Sequence, residues 1–276
     1  MIQEFESVLK YLHDARGFDF SQTRYSSLSR KINNRLDALH FQTAQSYIRH
    51  LESHPDEWVT LIDLLTINVS RFFRNSLTFE TLAKRILPGM IARKQKEDDP
   101  LIRIWSAGCA AGEEPYSIAI LIHDYLEKEH LDLNLNIFAT DINQSVLQKA
   151  RDGRYEPDQL KNVKLGHLEK YFTLKNDHYR LNKNIKNMVT FSFYDIIHAK
   201  THVPPESVFG SFDMVFCRNL LIYFLPDNQK IIFKKLVRSL APNGYLILGE
   251  AERLPHGYQG EFNTENEDCH IYQKTV

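Results

Sequence analysis

Residues 102–141 carry residue types suited to binding a nucleoside cofactor. A short apolar run, Ile102–Trp105, leads into the small-residue turn Ser106–Gly112, and apolar residues at helix spacing follow it. A second apolar run ends in Asp141. Strand, glycine turn, helix, strand and acid is the order of a nucleotide-binding βαβ unit, in which the acid binds ribose hydroxyls. Gly108 of the turn and Asp141 are therefore candidate cofactor-binding residues.

The start of the helix narrows the choice of cofactor. Glu113 and Glu114 stand at its first turn, and Gly108 and Gly112 do not complete the G-x-G-x-x-G pattern of dinucleotide sites. Two carboxylates at a helix N-terminus would repel a pyrophosphate and attract a cation. S-adenosylmethionine (SAM) carries an ammonium and a sulfonium and no phosphate, so it suits this turn. The alternative is that the two acids only complement the helix dipole.

Composition excludes several classes of protein. The chain has 276 residues, 43% of them hydrophobic, and a formal net charge of −1. No overall basic field favours nucleic acid or an anionic membrane, and no apolar run is long enough to span a bilayer. The N-terminal segment carries acids early and lacks the apolar core of a signal peptide. Three widely spaced cysteines predict neither disulfides nor a metal site. We therefore expect a cytoplasmic protein.

Three domain-level segments position these residues. Residues 1–75 show apolar stripes at helix spacing and predict an all-α N-terminal domain. Residues 76–100 predict a connecting helix and a linker, the polar run Arg93–Pro100 being the linker. From 101 to 276 strands and helices alternate, which predicts an α/β fold, a Rossmann-like parallel sheet with helices on both faces.

Five apolar runs are candidate strands of that sheet, and two short segments near its end would close it. The candidates are Ile102–Trp105, Ile137–Thr140, Val189–Phe193, Met214–Phe216 and Tyr245–Leu248, with segments near Glu261–Phe262 and Ile271–Gln273. Tyr171–Leu174 and Tyr179–Asn182 alternate apolar and polar residues around Lys175–His178. They predict a small antiparallel hairpin inserted around 168–187.

Polar clusters follow several of these strands, at the edge where such a sheet binds ligands. They are Asp195, Cys217-Arg218-Asn219, Tyr223 and Gly249-Glu250. Each has a structural alternative. Asp195 would cap the helix that follows it, Arg218 and Asn219 would satisfy loop carbonyls, and Tyr223 would be a core aromatic.

Four segments in this order resemble a known family. They read LLTINVSRFFRNSLTFETL, WSAGCAAGEEPYSIAI, FATDINQSVLQKARDGRY and FDMVFCRNLLIYF. They resemble the chemotaxis-receptor protein-glutamate O-methyltransferases, the CheR family. The resemblance runs from about Tyr25 to the C-terminus.

The resemblance implies methyl transfer from SAM to glutamates of receptors, with S-adenosylhomocysteine as the other product. It implies an α-helical N-terminal domain and a methyltransferase domain that carries an antiparallel β-subdomain at the predicted hairpin. It implies cofactor contacts at Asn68, Ser70, Arg74, Glu114, Asp141, Asp195, Ile196, Arg218 and Asn219. It also implies that Arg74 and Tyr223 orient the substrate carboxylate.

The chain departs from the family in places. Ser70 stands where the family often has Thr, and Asp195 where it often has Asn. Gly249-Glu250-Ala251-Glu252 follows the usual end of the fifth strand only loosely. The turn Lys175–His178 contains no glycine, unlike that of members that dock on the C-terminal peptide of a receptor. This departure argues against that docking mode here.

The partner implied by the resemblance is the cytoplasmic helical bundle of chemoreceptors, which is acidic. A basic face formed by Arg24, Arg30, Lys31, Asn34 and Arg35 would attract it, or would simply be solvated. Two functional alternatives remain open at this point. One is a SAM-binding regulatory or adaptor module without turnover, and the other is a SAM-dependent methyltransferase with a different acceptor.

Overall fold

The computed structural model describes residues 2–20, 25–65, 70–208 and 210–275, the side chains of 2–4 and 16 excepted. They form two compact units. The first comprises Met1–Val69 with Leu221–Lys230, and the second comprises Ser70–Leu220 with Ile231–Val276. Among the described residues no helix combines the length and apolarity needed to cross a membrane.

The described residues between 2 and 65 form four helices, each with a buried apolar stripe. They are α1 (Ile2–Arg16), α2 (Tyr25–Ala38), α3 (Ala44–Ser53) and α4 (Pro55–Leu65). Thr43 caps α3 by accepting a hydrogen bond from Ser46 N. The predicted all-α N-terminal domain is confirmed in the described residues.

A buried carboxylate ties α2, α3 and α4 together. Glu57 of α4 accepts hydrogen bonds from the Arg35 guanidinium and, at 2.6 Å, from the Tyr47 hydroxyl. Burial alone would raise the pKa of Glu57, but the Arg35 and Tyr47 donors outweigh it and lower that pKa. Arg35, whose side chain is 26% exposed, is thus paired with a buried carboxylate, which compensates its charge at the predicted basic face. Arg24 lies outside the described residues.

Tyr223 belongs to the same unit through its backbone. Asp19 N donates to Tyr223 O at 2.9 Å, and Leu225 N donates to Gly17 O at 3.0 Å. The rings of Phe18 and Phe224 pack 4.9 Å apart between these bonds. The sequence pattern, which placed this segment with the sheet, does not anticipate its attachment to residues 17–19.

The second unit is built on a seven-stranded sheet. Its strands are β1 (Leu101–Ala107), β2 (Asn134–Asp141), β6 (Val189–Phe193), β7 (Phe212–Cys217), β8 (Leu240–Leu248), β9 (Phe262–Asn266) and β10 (Ile271–Lys274). The order is β6-β2-β1-β7-β8-β10-β9. The first five are parallel, and β10 runs antiparallel to β8 and β9. The predicted Rossmann-like sheet and its closing strands are confirmed.

The order of the strands indicates at which edge of the sheet a ligand binds. The chain steps from β1 to β2 and β6 on one side, then crosses to β7 and β8 on the other. The strand order therefore reverses between β1 and β7, and in open α/β sheets ligands bind at the carboxyl ends of strands at such a point. All six residues of β7 are buried, as a central strand requires.

The helices of this unit alternate with its strands. They are α5 (Ser76–Thr81), a π-helical turn Leu82–Ile86, α6 (Leu87–Lys96), α7 (Glu113–Lys128), α8 (Gln144–Asp152), α9 (Leu165–Tyr171), α10 (Lys183–Lys186) and α11 (Pro226–Ser239). Short 3₁₀ turns cover Pro157–Leu160 in this unit and Leu221–Tyr223 in the first. Helix α11 begins in the first unit and ends in the second.

The polar run Arg93–Pro100 differs from the predicted linker. Its first four residues complete α6. Lys94 is buried, and its Nζ lies 2.6 Å from Asp99 and 2.8 Å from Asp213. The polar composition of this run predicted a linker, whereas the structure buries the Lys94 ammonium and compensates its charge with two carboxylates.

The predicted hairpin is present and belongs to a small antiparallel sheet. Strands β4 (Phe172–Lys175) and β5 (His178–Leu181) pair, and β3 (Arg154–Tyr155) joins the other edge of β5. Asn176 and Asp177 both have positive φ, 49° and 60°. A two-residue hairpin loop with both residues in this region matches the twist of its strands, and Asn and Asp tolerate it well. The turn therefore forms without glycine.

Candidate active site

The glycine turn closes tightly over the end of β1. The Gly108 and Cys109 amides both donate to Thr140 O, at 2.8 and 3.0 Å. Gly112 has a φ of 91°, and a Cβ built there would lie 2.9 Å from the Cβ of Ala150. Only glycine fits that position. The turn thus brings backbone to the carboxyl end of β1, where a ligand can approach it.

Asp141 ends β2 beside this turn. Its Oδ2 accepts a hydrogen bond from Ala110 N at 3.0 Å, and its Oδ1 accepts one from Asn143 N at 2.9 Å. Tyr194 N, just after β6, donates to the backbone carbonyl of Asp141. The structure therefore brings Gly108 and Asp141 together.

The two acids at the start of α7 are both engaged by the protein. Gln159 Nε2 donates to Glu113 Oε1 at 2.7 Å, and the Ser106 hydroxyl donates to Glu114 at 2.8 Å. Burial raises the pKa of each carboxyl; Gln159 and Ser70 oppose the shift at Glu113, and Arg218 opposes it at Glu114. Their place in the first turn also suits the positive end of the helix dipole.

Arg218 joins three parts of the site. Its side chain is 2% exposed. The guanidinium donates to Glu114 Oε2 at 3.2 Å, to Arg74 O at 3.1 Å and to Asn75 Oδ1 at 2.7 Å. The Phe79 ring lies 5.8 Å from its Cζ. In this arrangement Arg218 positions the Arg74 backbone and fulfils the predicted alternative of satisfying a loop carbonyl.

The segment that carries Arg74 is held in an unusual backbone conformation. Phe73 and Asn75 have positive φ, 51° and 60°. Phe73 N donates to the Ser117 hydroxyl at 2.9 Å, and Phe72 N donates to Gln159 O at 3.0 Å. Positive φ in a bulky residue such as Phe73 is strained and persists where its surroundings enforce it. The result is an exposed Arg74 side chain on a fixed backbone.

Two further predicted contacts lie after β6. Asp195 Oδ1 accepts hydrogen bonds from Ile197 N at 3.1 Å and His198 N at 3.0 Å. It caps the turn that follows, so the predicted capping role is present, although the turn is not a helix. Ile196 is buried, and its carbonyl accepts a hydrogen bond from Lys235 Nζ.

The remaining predicted residues have separate positions. Ser70 is half-buried at the start of the second unit, and Tyr223 is half-buried in the first unit. Asn68 lies outside the described residues. The second unit thus brings together Gly108 with Asp141, and Glu114 with Arg218 and the Arg74 backbone.

Glu252 is a residue that the sequence reasoning missed. It is 3% exposed, and its carboxylate accepts backbone hydrogen bonds from Asn219, Leu220 and Gly249. The Gly249-Glu250 cluster was singled out after the fifth strand, but Glu250 is exposed. The sequence signal that could have identified Glu252 is that it is the second acid of Gly249-Glu250-Ala251-Glu252.

The fold and the strand-end groups define an α/β enzyme of the SAM-dependent methyltransferase class. Residues 68–271 match the SAM-binding domain of the CheR methyltransferases, and residues 3–66 match their all-alpha domain. The chain belongs to the CheR methyltransferase family.

Relatives match over most of their length. The chemotaxis protein methyltransferase of Borreliella burgdorferi is 31% identical over 254 residues, which is 91% of this chain and 88% of that protein. The chemotaxis protein methyltransferase of Escherichia coli K12 is 31% identical over 258 residues, 91% and 85% of the two chains. That of Salmonella typhimurium LT2 is 32% identical over 254 residues, 90% and 83%.

The residues at the strand ends fit SAM as cofactor. A carboxylate after the second strand suits ribose hydroxyls, and the glycine turn leaves backbone accessible beside it. SAM has no phosphate, so acids at the start of α7 do not oppose it as they would a pyrophosphate. Asp141, Gly108 and the residues around Glu114 would hold it.

Replacing Asp141 with alanine should weaken SAM binding far more than it changes the fold. A carboxylate that binds two hydroxyls loses charge-assisted hydrogen bonds of roughly 1.5–3 kcal/mol each. Calorimetry with SAM, beside a thermal melt, measures both effects. Asp132→Ala, an exposed acid just before β2, is the control. Affinity within about twofold of wild type, in a folded variant, would show that Asp141 is not the ribose ligand.

Proposed function

We propose that this enzyme transfers the methyl group of SAM to glutamate side chains of chemotaxis receptors, forming glutamate methyl esters. The observation that carries the proposal is the match of residues 3–66 and 68–271 to the two CheR domains. Relatives that match along most of their length are chemotaxis protein methyltransferases. We propose that methylation takes place in the cytoplasm, on the helical bundle of the receptor. Docking on a receptor's C-terminal peptide forms no part of the proposal.

The proposal assigns a domain to each part of the chain and a role to each site residue. We propose residues 1–75 as the helical domain, 76–100 as the connection, and 101–276 as the methyltransferase domain with the insertion around 168–187. The compact units of the structure divide earlier, between Val69 and Ser70. The proposed cofactor contacts are Asn68, Ser70, Arg74, Gly108, Glu114, Asp141, Asp195, Ile196, Arg218 and Asn219. Arg74 and Tyr223 are the proposed catalytic residues.

The chemistry requires little proton transfer. Bound SAM supplies an electrophilic methyl group on a sulfonium. A glutamate has an ordinary pKa of about 4.3 and is ionised at neutral pH, so no general base is needed. Well-oriented reactants can gain roughly 7–11 kcal/mol from proximity alone. The task of the protein is therefore to position the carboxylate and to exclude water.

Arg74 has the properties that this task requires. Its guanidinium can bind the carboxylate oxygen that does not attack, and the Tyr223 hydroxyl can donate to the same group. A clamp on both oxygens would lower the nucleophilicity of the carboxylate. We therefore expect one oxygen to be left unbound. Since Arg218 fixes the Arg74 carbonyl, Arg74 begins from a preorganised backbone.

The experiment uses purified enzyme, labelled SAM and membranes from cells that carry its own receptors. We expect base-labile label on a receptor-sized band, because carboxyl methyl esters hydrolyse in base. Base-stable label on another acceptor would replace glutamate in the proposal. SAM binding in calorimetry without transfer to any acceptor would leave a regulatory or adaptor module. NAD in the same calorimeter serves as the negative control.

A further inference from the structure

Glu252 forms a buried clamp between two strand-end loops. Its Oε2 accepts hydrogen bonds from Asn219 N at 2.9 Å and from Gly249 N at 2.7 Å. Its Oε1 accepts one from Leu220 N at 2.8 Å. Asn219 and Leu220 follow β7, whereas Gly249 follows β8. One carboxylate therefore fixes the ends of neighbouring strands to each other.

The Glu252 carboxylate supplies acceptors for backbone N–H groups at the ends of two strands. Backbone N–H groups at strand ends have no ladder partner, and a buried donor without an acceptor is costly. Asn219 has a positive φ of 57°, a conformation that Asn tolerates. Three charge-assisted bonds to a single side chain hold the loop in this conformation.

The clamp reaches the glycine turn through Leu220. A Cβ built on Gly108 would lie 3.1 Å from Leu220 Cδ1, so the Leu220 side chain lies directly against the turn. The Leu220 amide is one of the groups that Glu252 holds. A shift of the 218–220 loop would therefore move both Asn219 and the packing beneath Gly108.

The absence of a side chain at Gly249 leaves room for the Glu252 carboxylate. A Cβ built there would lie 2.6 Å from Glu252 Oε2 and 2.8 Å from Asn219 N. His270 Nδ1 donates to the Gly249 carbonyl at 2.7 Å, which fixes the peptide from its other side. Any side chain at position 249 would push the carboxylate away from the loop.

We propose that Glu252 is a positioning residue for cofactor binding: it fixes the 218–220 loop and, through Leu220, the glycine turn at Gly108. The proposal rests on cofactor binding at these strand ends and does not depend on the identity of the methyl acceptor. It consequently survives or fails independently of the receptor assay.

The test compares Glu252→Gln with Asp213→Asn. Glutamine keeps the size of the side chain but sets an amide donor against at least one backbone N–H. Asp213 is also a buried carboxylate, near the start of β7 and at the opposite end of that strand from the 218–220 loop. It accepts a hydrogen bond from Arg103 N at 2.9 Å and pairs with Lys94. Both variants should lose stability. Only Glu252→Gln should lose affinity for S-adenosylhomocysteine in calorimetry, by about tenfold for one lost bond.

Hydrogen exchange supplies a local measurement. In Glu252→Gln the amides of Asn219 and Leu220 should exchange faster relative to the rest of the sheet, and in Asp213→Asn they should not. If Glu252→Gln fails to fold, Gly249→Ala displaces the same carboxylate and should give the same two effects. Wild-type affinity in a folded Glu252→Gln or Gly249→Ala protein would overturn the proposal, as would equal loss of affinity in Asp213→Asn.

Discussion

Arg218→Leu should destabilise the protein by about 3–5 kcal/mol, the range for removing one partner of a buried ion pair. The guanidinium is 2% exposed and serves Glu114, Arg74 O and Asn75 Oδ1. Leucine fills part of the space but leaves the Glu114 carboxylate without its cation. Chemical denaturation measures the loss, and Arg85→Leu, at an exposed position of the π-helical turn, is the control.

The loss should depend on pH in a defined direction. Burial already raises the pKa of Glu114, and Arg218 opposes this shift most strongly, with smaller contributions from Ser106 and Arg74. Without Arg218 the folded-state pKa rises further above its unfolded value of about 4.3. An acid with a raised folded pKa destabilises the fold as pH rises from the unfolded value through the folded one. The difference between wild type and Arg218→Leu should therefore grow as pH rises. At low pH the part that remains is the loss of the bonds to Arg74 O and Asn75 Oδ1, which do not depend on the ionisation of Glu114.

A second substitution separates stability from positioning. Adding Glu114→Gln to Arg218→Leu removes the uncompensated charge and should recover part of the stability. It should not recover methyl transfer, because the Arg218 hydrogen bond to the Arg74 carbonyl is still missing and the proposed cofactor contact at Glu114 is changed as well. Arg218→Lys keeps the charge but lacks the rigid planar fork that is spread over Glu114, Arg74 O and Asn75 Oδ1, so it should restore only part of the turnover. Full turnover in the double variant would show that Arg218 acts only on stability.

Local patterns predicted those parts of the fold that short segments determine. The βαβ unit and Asp141 could be predicted because an apolar run, a glycine turn and a helix period occur within 40 residues of one another in the sequence. The hairpin could be predicted from its alternation. Strand β3 could not, because Arg154–Tyr155 is too short to show any period.

The internal bonds of the site could not be predicted in the same way. Arg218 and Glu114 are 104 residues apart, and Asn219 and Glu252 are 33 apart. Nothing in the residue types indicates which acid meets which donor across the sheet. The family resemblance assigned Arg218 and Glu114 to the cofactor, whereas the geometry also gives each of them a protein partner. Lys94 shows the same limit, since it was predicted to lie in a linker and its partner Asp213 is far along the chain.

Arg74→Ala and Tyr223→Phe should both lower methyl transfer. Tyr223→Phe should leave SAM affinity near that of wild type, whereas Arg74→Ala should also weaken it, because Arg74 is a proposed cofactor contact as well. Arg74 is exposed on a backbone that Arg218 fixes, and its proposed role is to bind the acceptor carboxylate. Removal of one preorganised donor costs about 2.7–4 kcal/mol in oxyanion-type sites. We expect a loss in this range for Arg74 and a smaller one for Tyr223, because the carboxylate charge diminishes as the methyl group is transferred.

Single-turnover methylation of a receptor fragment, measured beside SAM affinity, tests both residues. Tyr223→Phe removes one hydroxyl and keeps the ring, so a tyrosine that only packs would leave turnover unchanged. Tyr258→Phe, another half-buried tyrosine, is the matched control. Arg74→Lys retains the charge without the fork, so it should recover part of what Arg74→Ala loses. Wild-type turnover in both Arg74→Ala and Tyr223→Phe would refute the assignment, whereas a loss explained by SAM affinity alone would make Arg74 a cofactor ligand only.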